Sequence, residues 1–393
     1  MSANGLMSTY APLPVTFEKG EGIWIYDTNG EKYLDALGGI AVCGLGHCHP
    51  EVTRTISEQA SRLIHTSNLY HIGHQEALSK RLTEVSGMDS CFFTNSGAEA
   101  NECAIKLARL YGNNQQVEKP SIIVTDGAFH GRTMATLTAT GSRKVKAGFE
   151  PLVQGFVRAP FNDIEAIETI ASNNNNVVAI MVEPIQGEGG INVPEEGYLK
   201  ALRKICDQNN WLLILDEIQT GNGRTGNYFA YQGEEIYPDI VTTAKGLGNG
   251  MPIGACLAKG KAAELFKPGN HGSTYGGNPL ACATALTVVD TLVSDNLIQR
   301  AAALGERMLT AFNEALGEHE LVDNIRGKGL MIGIELTKPC GELVGRALEN
   351  KLLINVTSDK VIRLLPALIM SDEEADQVAN SVIELVQQWA AEQ

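Results

Sequence analysis

Four short runs of the chain are apolar at both odd and even positions: Ser121–Thr125, Val177–Val182, Trp211–Leu215 and Ile240–Thr243. A strand with one wet face alternates. A run apolar on both parities predicts a strand covered on both faces. Between these runs the apolar spacing is helical, most clearly over Asn101–Leu110 and Tyr198–Asn209. Alternating strands and helices predict an α/β fold with a doubly wound, mostly parallel sheet. The flanks read differently. Gly22–Asp35 alternates around Thr28, Asn29 and Gly30, which predicts a hairpin. Leu297–Leu316 predicts a long helix, Leu330–Leu336 a strand, and Asp372–Trp389 a final amphipathic helix. Together the flanks suggest a smaller α+β domain built from both chain ends. The expected division is an N-terminal segment 1–60, a large domain 61–295 and a C-terminal part 296–393.

Composition narrows the function classes. The formal net charge of -15 argues against broad binding of nucleic acid or of an anionic membrane. No apolar run approaches the ~18 residues of a membrane span, and Met1–Leu13 lacks the pattern of a secretory signal. Met7 reads as an alternative start. The eight cysteines form no CxxC pair, as expected of reduced thiols in a cytoplasmic protein.

Ligands of doubly wound sheets sit beyond the carboxyl ends of the strands. The residues after the four runs therefore carry the chemistry. They are Phe129, His130 and Arg132; Glu183, Gln186 and Glu188; Asp216, Ile218 and Gln219; and Lys245. Asp216 ends an apolar strand, where a carboxylate needs a cation or a strong donor. LLILDE could be a Walker B strand, but the chain has no GxxxxGK[ST] loop. Lys245 ends another buried strand, where desolvation lowers an amine's pKa and suits it to Schiff-base chemistry. Thr94–Asn101 opens a helix. Its free N–H groups would favour a phosphate, although an ordinary Ser/Asn cap explains the same residues. The histidines of Gly46–His49 and His71–His74 lack a ligand set at a recognised metal spacing and read as cleft loops. No metal is expected.

Taken together the motifs resemble the class III, fold-type I aminotransferases that use pyridoxal 5′-phosphate (PLP), and within them the acetylornithine aminotransferase branch. The carrying segments are Asn95–Asn101 (NSGAEAN), Phe129–Thr133 (FHGRT), Glu183–Gly189 (EPIQGEG), Leu215–Gly221 (LDEIQTG), Ala244–Gly248 (AKGLG) and Ser273–Pro279 (STYGGNP). The resemblance runs from Gly22 to the last helix. Asn249 and Ala367 depart from common family residues, outside any catalytic role.

The resemblance implies a role for each residue. Lys245 would carry PLP and shuttle the proton. Asp216 would pair with the ring nitrogen, Phe129 and Ile218 would sandwich the ring, and Gln219 would reach its phenolic oxygen. Ser96, Gly97 and Ala98 would bind the phosphate, with Thr274 of a second subunit completing the site of a homodimer. Arg132 and Ser273 would bind the donor, and Tyr70 would wall its channel. Glu188 would pair with Arg363 as a switch that exposes the arginine to 2-oxoglutarate only when open. The implied reaction moves the δ-amino group of N2-acetyl-L-ornithine to 2-oxoglutarate, in arginine biosynthesis. The motifs leave open the succinylornithine and succinyldiaminopimelate reactions. They also leave open an aminomutase, which needs no external acceptor.

Overall fold

A computed structural model describes residues 5–393. The stretch before Met7, the residue that reads as an alternative start, thus lies partly outside the described residues. The chain opens with β1 (Phe17–Glu21), β2 (Trp24–Asp27) and β3 (Lys32–Asp35). β2 and β3 form the expected hairpin, closed at Gly30, whose N–H donates to Asp27 O.

The central strands are β4 (Ser90–Thr94), β5 (Ser121–Thr125), β6 (Phe156–Ala159), β7 (Val177–Val182), β8 (Leu212–Asp216), β9 (Ile240–Thr243) and β10 (Gly254–Ala258). They pair in the order β4-β10-β9-β8-β7-β5-β6. Every residue of β7, β8 and β9 is buried, as their two-sided apolar pattern requires. β8 starts one residue later than the pattern suggests. Trp211 N donates instead to Cys206 O and closes the preceding helix, while Asp216 still pairs with Thr242. β10 runs antiparallel to both neighbours in an otherwise parallel sheet. Its sequence, GACLA, lacks β-branched residues, so the pattern did not mark it.

The expected helices are present over Gly97–Asn114, Tyr198–Asn209, Leu297–Leu316 and Asp372–Ala390. Ser371 and Glu374 form a reciprocal capping box that starts the last one. The remaining strands are β11 (Val322–Lys328), β12 (Met331–Leu336), β13 (Leu352–Leu353), β14 (Asn355–Thr357) and β15 (Val361–Leu364). β11, β12, β15 and β14 form one sheet, while β13 joins β3 in parallel. That pairing ties the two chain ends together. Buried Arg224 links this region to the large sheet by donating to the carbonyls of Leu330 and Pro366.

Candidate active site

The carboxyl ends of β4, β5, β7, β8 and β9 open on one cavity of about 400 Å³. Asn95 to Ala98, Phe129 to Arg132, Glu183, Asp216, Ile218, Gln219 and Lys245 all line it. Residues that are far apart in sequence meet there because parallel strands end on the same rim.

Asp216 sits at the floor, 3 % exposed, as the last residue of β8. Its Oδ2 receives hydrogen bonds from Asn101 Nδ2 (2.8 Å) and His130 Nδ1 (2.7 Å). Its Oδ1 accepts from Ile218 N at 3.1 Å. Asn101 is itself fixed, with Oδ1 accepting from Thr242 Oγ1 at 2.7 Å. A buried carboxylate is tolerated here because donors on three elements satisfy it. Asn101 was given no role from the sequence, and His130 was placed on the rim without its partner. The signal was present, since Asn101 is a polar residue between Ala100 and Cys103 on the buried face of its helix.

Lys245 follows β9 with a φ of 45° and is half-buried. A side-chain-bearing residue in that left-handed region is strained, and such strain concentrates at functional sites. Desolvation, aided by the positive charge of Arg363, holds its amine below the ordinary lysine range. Glu183 accepts from Phe129 N (2.9 Å) and Gly187 N (3.1 Å), bracing two rim loops. Burial pushes its carboxyl up to about 7.

Ser96 caps the helix Gly97–Asn114, accepting from Glu99 N. The ordinary cap therefore exists, and the same turn also faces the cavity. A Cβ on Gly97 would stand 2.6 Å from Ile218 Cδ1, so glycine keeps that approach open. Arg132 is exposed beside the cavity, its guanidinium 5.6 Å from the Phe129 ring centre.

Arg363, fully buried on β15, donates from Nη1 to Glu188 Oε1 at 2.9 Å and to Gln219 Oε1 at 3.4 Å. The expected Glu188–Arg363 pair thus forms, one residue behind the cavity wall. The other expected residues stand apart from the cavity of a single chain. Tyr70 and Thr274 are exposed. Ser273 Oγ accepts from Asn95 Nδ2 (3.2 Å) and Gly276 N (2.9 Å), one step behind the lining. The histidine loops do not line this cavity as cleft loops would. His47 instead binds Asp35 at 2.8 Å, and His71 binds Glu76 at 2.7 Å.

The chain matches the model of the family described as Aminotransferase class-III over residues 7–386. It is 60% identical to an acetylornithine aminotransferase of Nitrosomonas europaea, over 97% of each chain. It is 47% identical to one from Methanothermobacter thermautotrophicus, covering 95% of this chain and 94% of that one. Among solved structures, the ornithine aminotransferase of Toxoplasma gondii superposes with a TM-score of 0.96 at 34% identity, covering 99% of this chain and 94% of that one. The acetylornithine aminotransferase of Elizabethkingia anophelis gives 0.88 at 36% identity, covering 97% and 96%. With its motifs, sheet and cavity accounted for, this chain belongs to the class-III aminotransferase family.

Proposed function

We propose that this chain is a PLP-dependent aminotransferase that moves the δ-amino group of N2-acetyl-L-ornithine to 2-oxoglutarate. The products are N-acetyl-L-glutamate 5-semialdehyde and L-glutamate, a step of arginine biosynthesis in the cytoplasm. The observation that carries the reading is Lys245 and Asp216 lining one cavity, together with 60% identity to an acetylornithine aminotransferase.

The residues present fit PLP. Asp216 would hold the ring nitrogen, and Phe129 and Ile218 would hold the ring faces. Gln219 would take the phenolic oxygen. Ser96, Gly97 and Ala98 would hold the phosphate, and the absence of a Cβ on Gly97 lets Ile218 pack close to that turn. When bound, PLP supplies an electron sink and a carrier for the amino group.

The chain's own residues do the rest. Burial keeps the Lys245 amine unprotonated at lower pH than a free lysine. That amine would anchor the cofactor until the donor's amine displaces it, and would then be free to carry the proton from the donor's δ-carbon to the cofactor. Arg132 would hold the donor's α-carboxylate, with Ser273 and Tyr70 beside it. While Glu188 neutralises Arg363, the far end of the site suits an uncharged amine. When Glu188 swings away, Arg363 would take a carboxylate of 2-oxoglutarate.

We further propose a homodimer in which Thr274 of the second copy completes the phosphate site. The exposed apolar residues Leu63, Ile64, Leu69, Tyr70 and Tyr275 support it, because large apolar groups gathered at a surface suit a protein interface. In this reading residues 61–295 form the PLP domain, and 1–60 with 296–393 form the small one. No single helix among the described residues is long and apolar enough to cross a membrane.

The test is the visible absorbance of the PLP-loaded protein after adding one amino donor without an acceptor. Acetylornithine is expected to bleach the band faster than succinylornithine, ornithine or 4-aminobutyrate. Faster bleaching by succinylornithine would transfer the assignment to that donor. Turnover without 2-oxoglutarate would point to aminomutase chemistry, and no response to any donor would sink the reading.

A further inference from the structure

Arg363 has one side-chain partner that neither the motifs nor the proposed exchange explains. β14 and β15 pair in register with Asn355 directly opposite Arg363. Asn355 Oδ1 accepts from Arg363 Nε at 2.9 Å. Glu188 and Gln219 share Nη1, and among the described residues Nη2 is buried with no hydrogen-bond partner. The guanidinium is 0% exposed, whereas the Glu188 side chain is 37% exposed.

We propose that Asn355 is the positioning residue of the acceptor site, holding Arg363 by a neutral amide so that its charge stays available for a substrate carboxylate. The inference rests on the reading above, in which Arg363 exchanges Glu188 for the acceptor. A buried guanidinium needs a fixed acceptor to keep its fork aimed. A carboxylate at position 355 would supply that acceptor and also a permanent counter-charge, leaving little gain from a second anion. An amide supplies the geometry alone. Among the described residues Glu188 then remains the only carboxylate on Arg363, and being partly solvated it can leave. Nη2 and the vacated Nη1 would offer two parallel N–H groups to the incoming carboxylate.

Asn355→Asp is nearly isosteric and keeps the acceptor atom, so it separates charge from packing. The experiment is calorimetric titration of the PLP-loaded enzyme with glutarate, a dicarboxylate without a reactive carbonyl. Asn355→Asp is expected to weaken glutarate binding at least about tenfold, as expected for loss of a desolvated charge pair. The donor half-reaction with acetylornithine is expected to stay within about twofold, well below the tenfold effect that 1.4 kcal/mol produces. Should that variant fold poorly, Asn355→Ala frees Nε and is expected to weaken glutarate to a similar degree. Wild-type glutarate affinity in either folded variant would overturn the proposal. Arg363→Ala distinguishes the two levels. If it too binds glutarate normally, the acceptor role of Arg363 fails and the role of Asn355 falls with it. If Arg363→Ala loses glutarate while the Asn355 variants keep it, only the positioning role fails.

Discussion

Asn101 joins the floor of the cavity to the sheet, donating 2.8 Å to Asp216 Oδ2 while accepting from Thr242. One amide thereby sets the position of the carboxylate proposed to face the cofactor ring. Asn101→Asp would replace a donor with a second buried carboxylate, and two such groups in contact cannot both ionise cheaply. Asp216 would then be protonated in a larger fraction of molecules. The expected result is a fall in kcat of about 10²-fold, the scale of losing one preorganised electrostatic contact. Asn101→Ser is expected to keep more activity. Steady-state kinetics with PLP content measured in parallel would decide it, and an unchanged kcat would remove Asn101 from the machinery.

Two buried acids give a pH dependence of stability with a defined sign. Desolvation pushes the carboxyls of Glu183 and Glu217 up to about 7, against about 4.3 in an unfolded chain. Between those values the folded state holds protons that the unfolded state has released, so stability falls as pH rises. Glu217→Gln is expected to flatten that fall. Lys245 acts in the opposite direction at alkaline pH. Its folded value is depressed, so the unfolded state binds more protons and this residue's own contribution to stability rises with pH until free lysine titrates. Lys245→Met is expected to abolish that rise. Urea unfolding of the cofactor-free protein at a series of pH values would show both slopes, and parallel curves for variant and wild type would contradict the assignment.

The parts legible in the sequence are those fixed by local pattern. Val177–Val182 and Tyr198–Asn209 have the limits that their periodicity implies. Lys245 and Asp216 could be placed because a strand end sets where its next residue points. β10 was hidden because its GACLA sequence has no β-branched residue, and Gly254 sits where a Cβ would collide with neighbouring backbone. Asn101 and Asn355 were missed, and His130 was placed on the rim without its partner, for another reason. Each acts through a hydrogen bond to a residue far along the chain, and no spacing rule encodes such a partner. Tyr70, Ser273 and Thr274 came from family resemblance, and within one chain they stand outside the cavity lining.

Gly254 links the hidden strand to the proposed phosphate site. A Cβ there would stand 2.5 Å from Ser96 O and 2.6 Å from Thr94 Oγ1. Backbone cannot yield as a side-chain tip can, so Gly254→Ala must separate β10 from the turn that opens the helix Gly97–Asn114. The expected cost is about 1–3 kcal/mol of stability, the range for an overpacked core. PLP retention should fall as well, because the displaced carbonyl belongs to Ser96. Thermal unfolding with and without PLP would test both, and an unchanged midpoint together with full retention would count against the cradle.

Donor preference is the sharpest consequence of the Glu188–Arg363 pair. In the closed arrangement the 2.9 Å ion pair cancels the charge of the buried guanidinium that also donates to Gln219. An ordinary α-amino acid presents its carboxylate where acetylornithine presents an uncharged end. It must therefore displace Glu188 before it can bind. Glu188→Ala removes that competition and leaves Arg363 with Asn355 and Gln219 as its side-chain partners. The kcat/KM for glutamate as amino donor is expected to rise about tenfold, equivalent to ~1.4 kcal/mol. The value for acetylornithine is expected to fall, because its neutral end would face an unpaired charge. Single-turnover bleaching with each donor measures the ratio directly. A ratio equal to that of the unaltered enzyme would reduce the pair to a structural ion pair between β15 and the loop that follows β7.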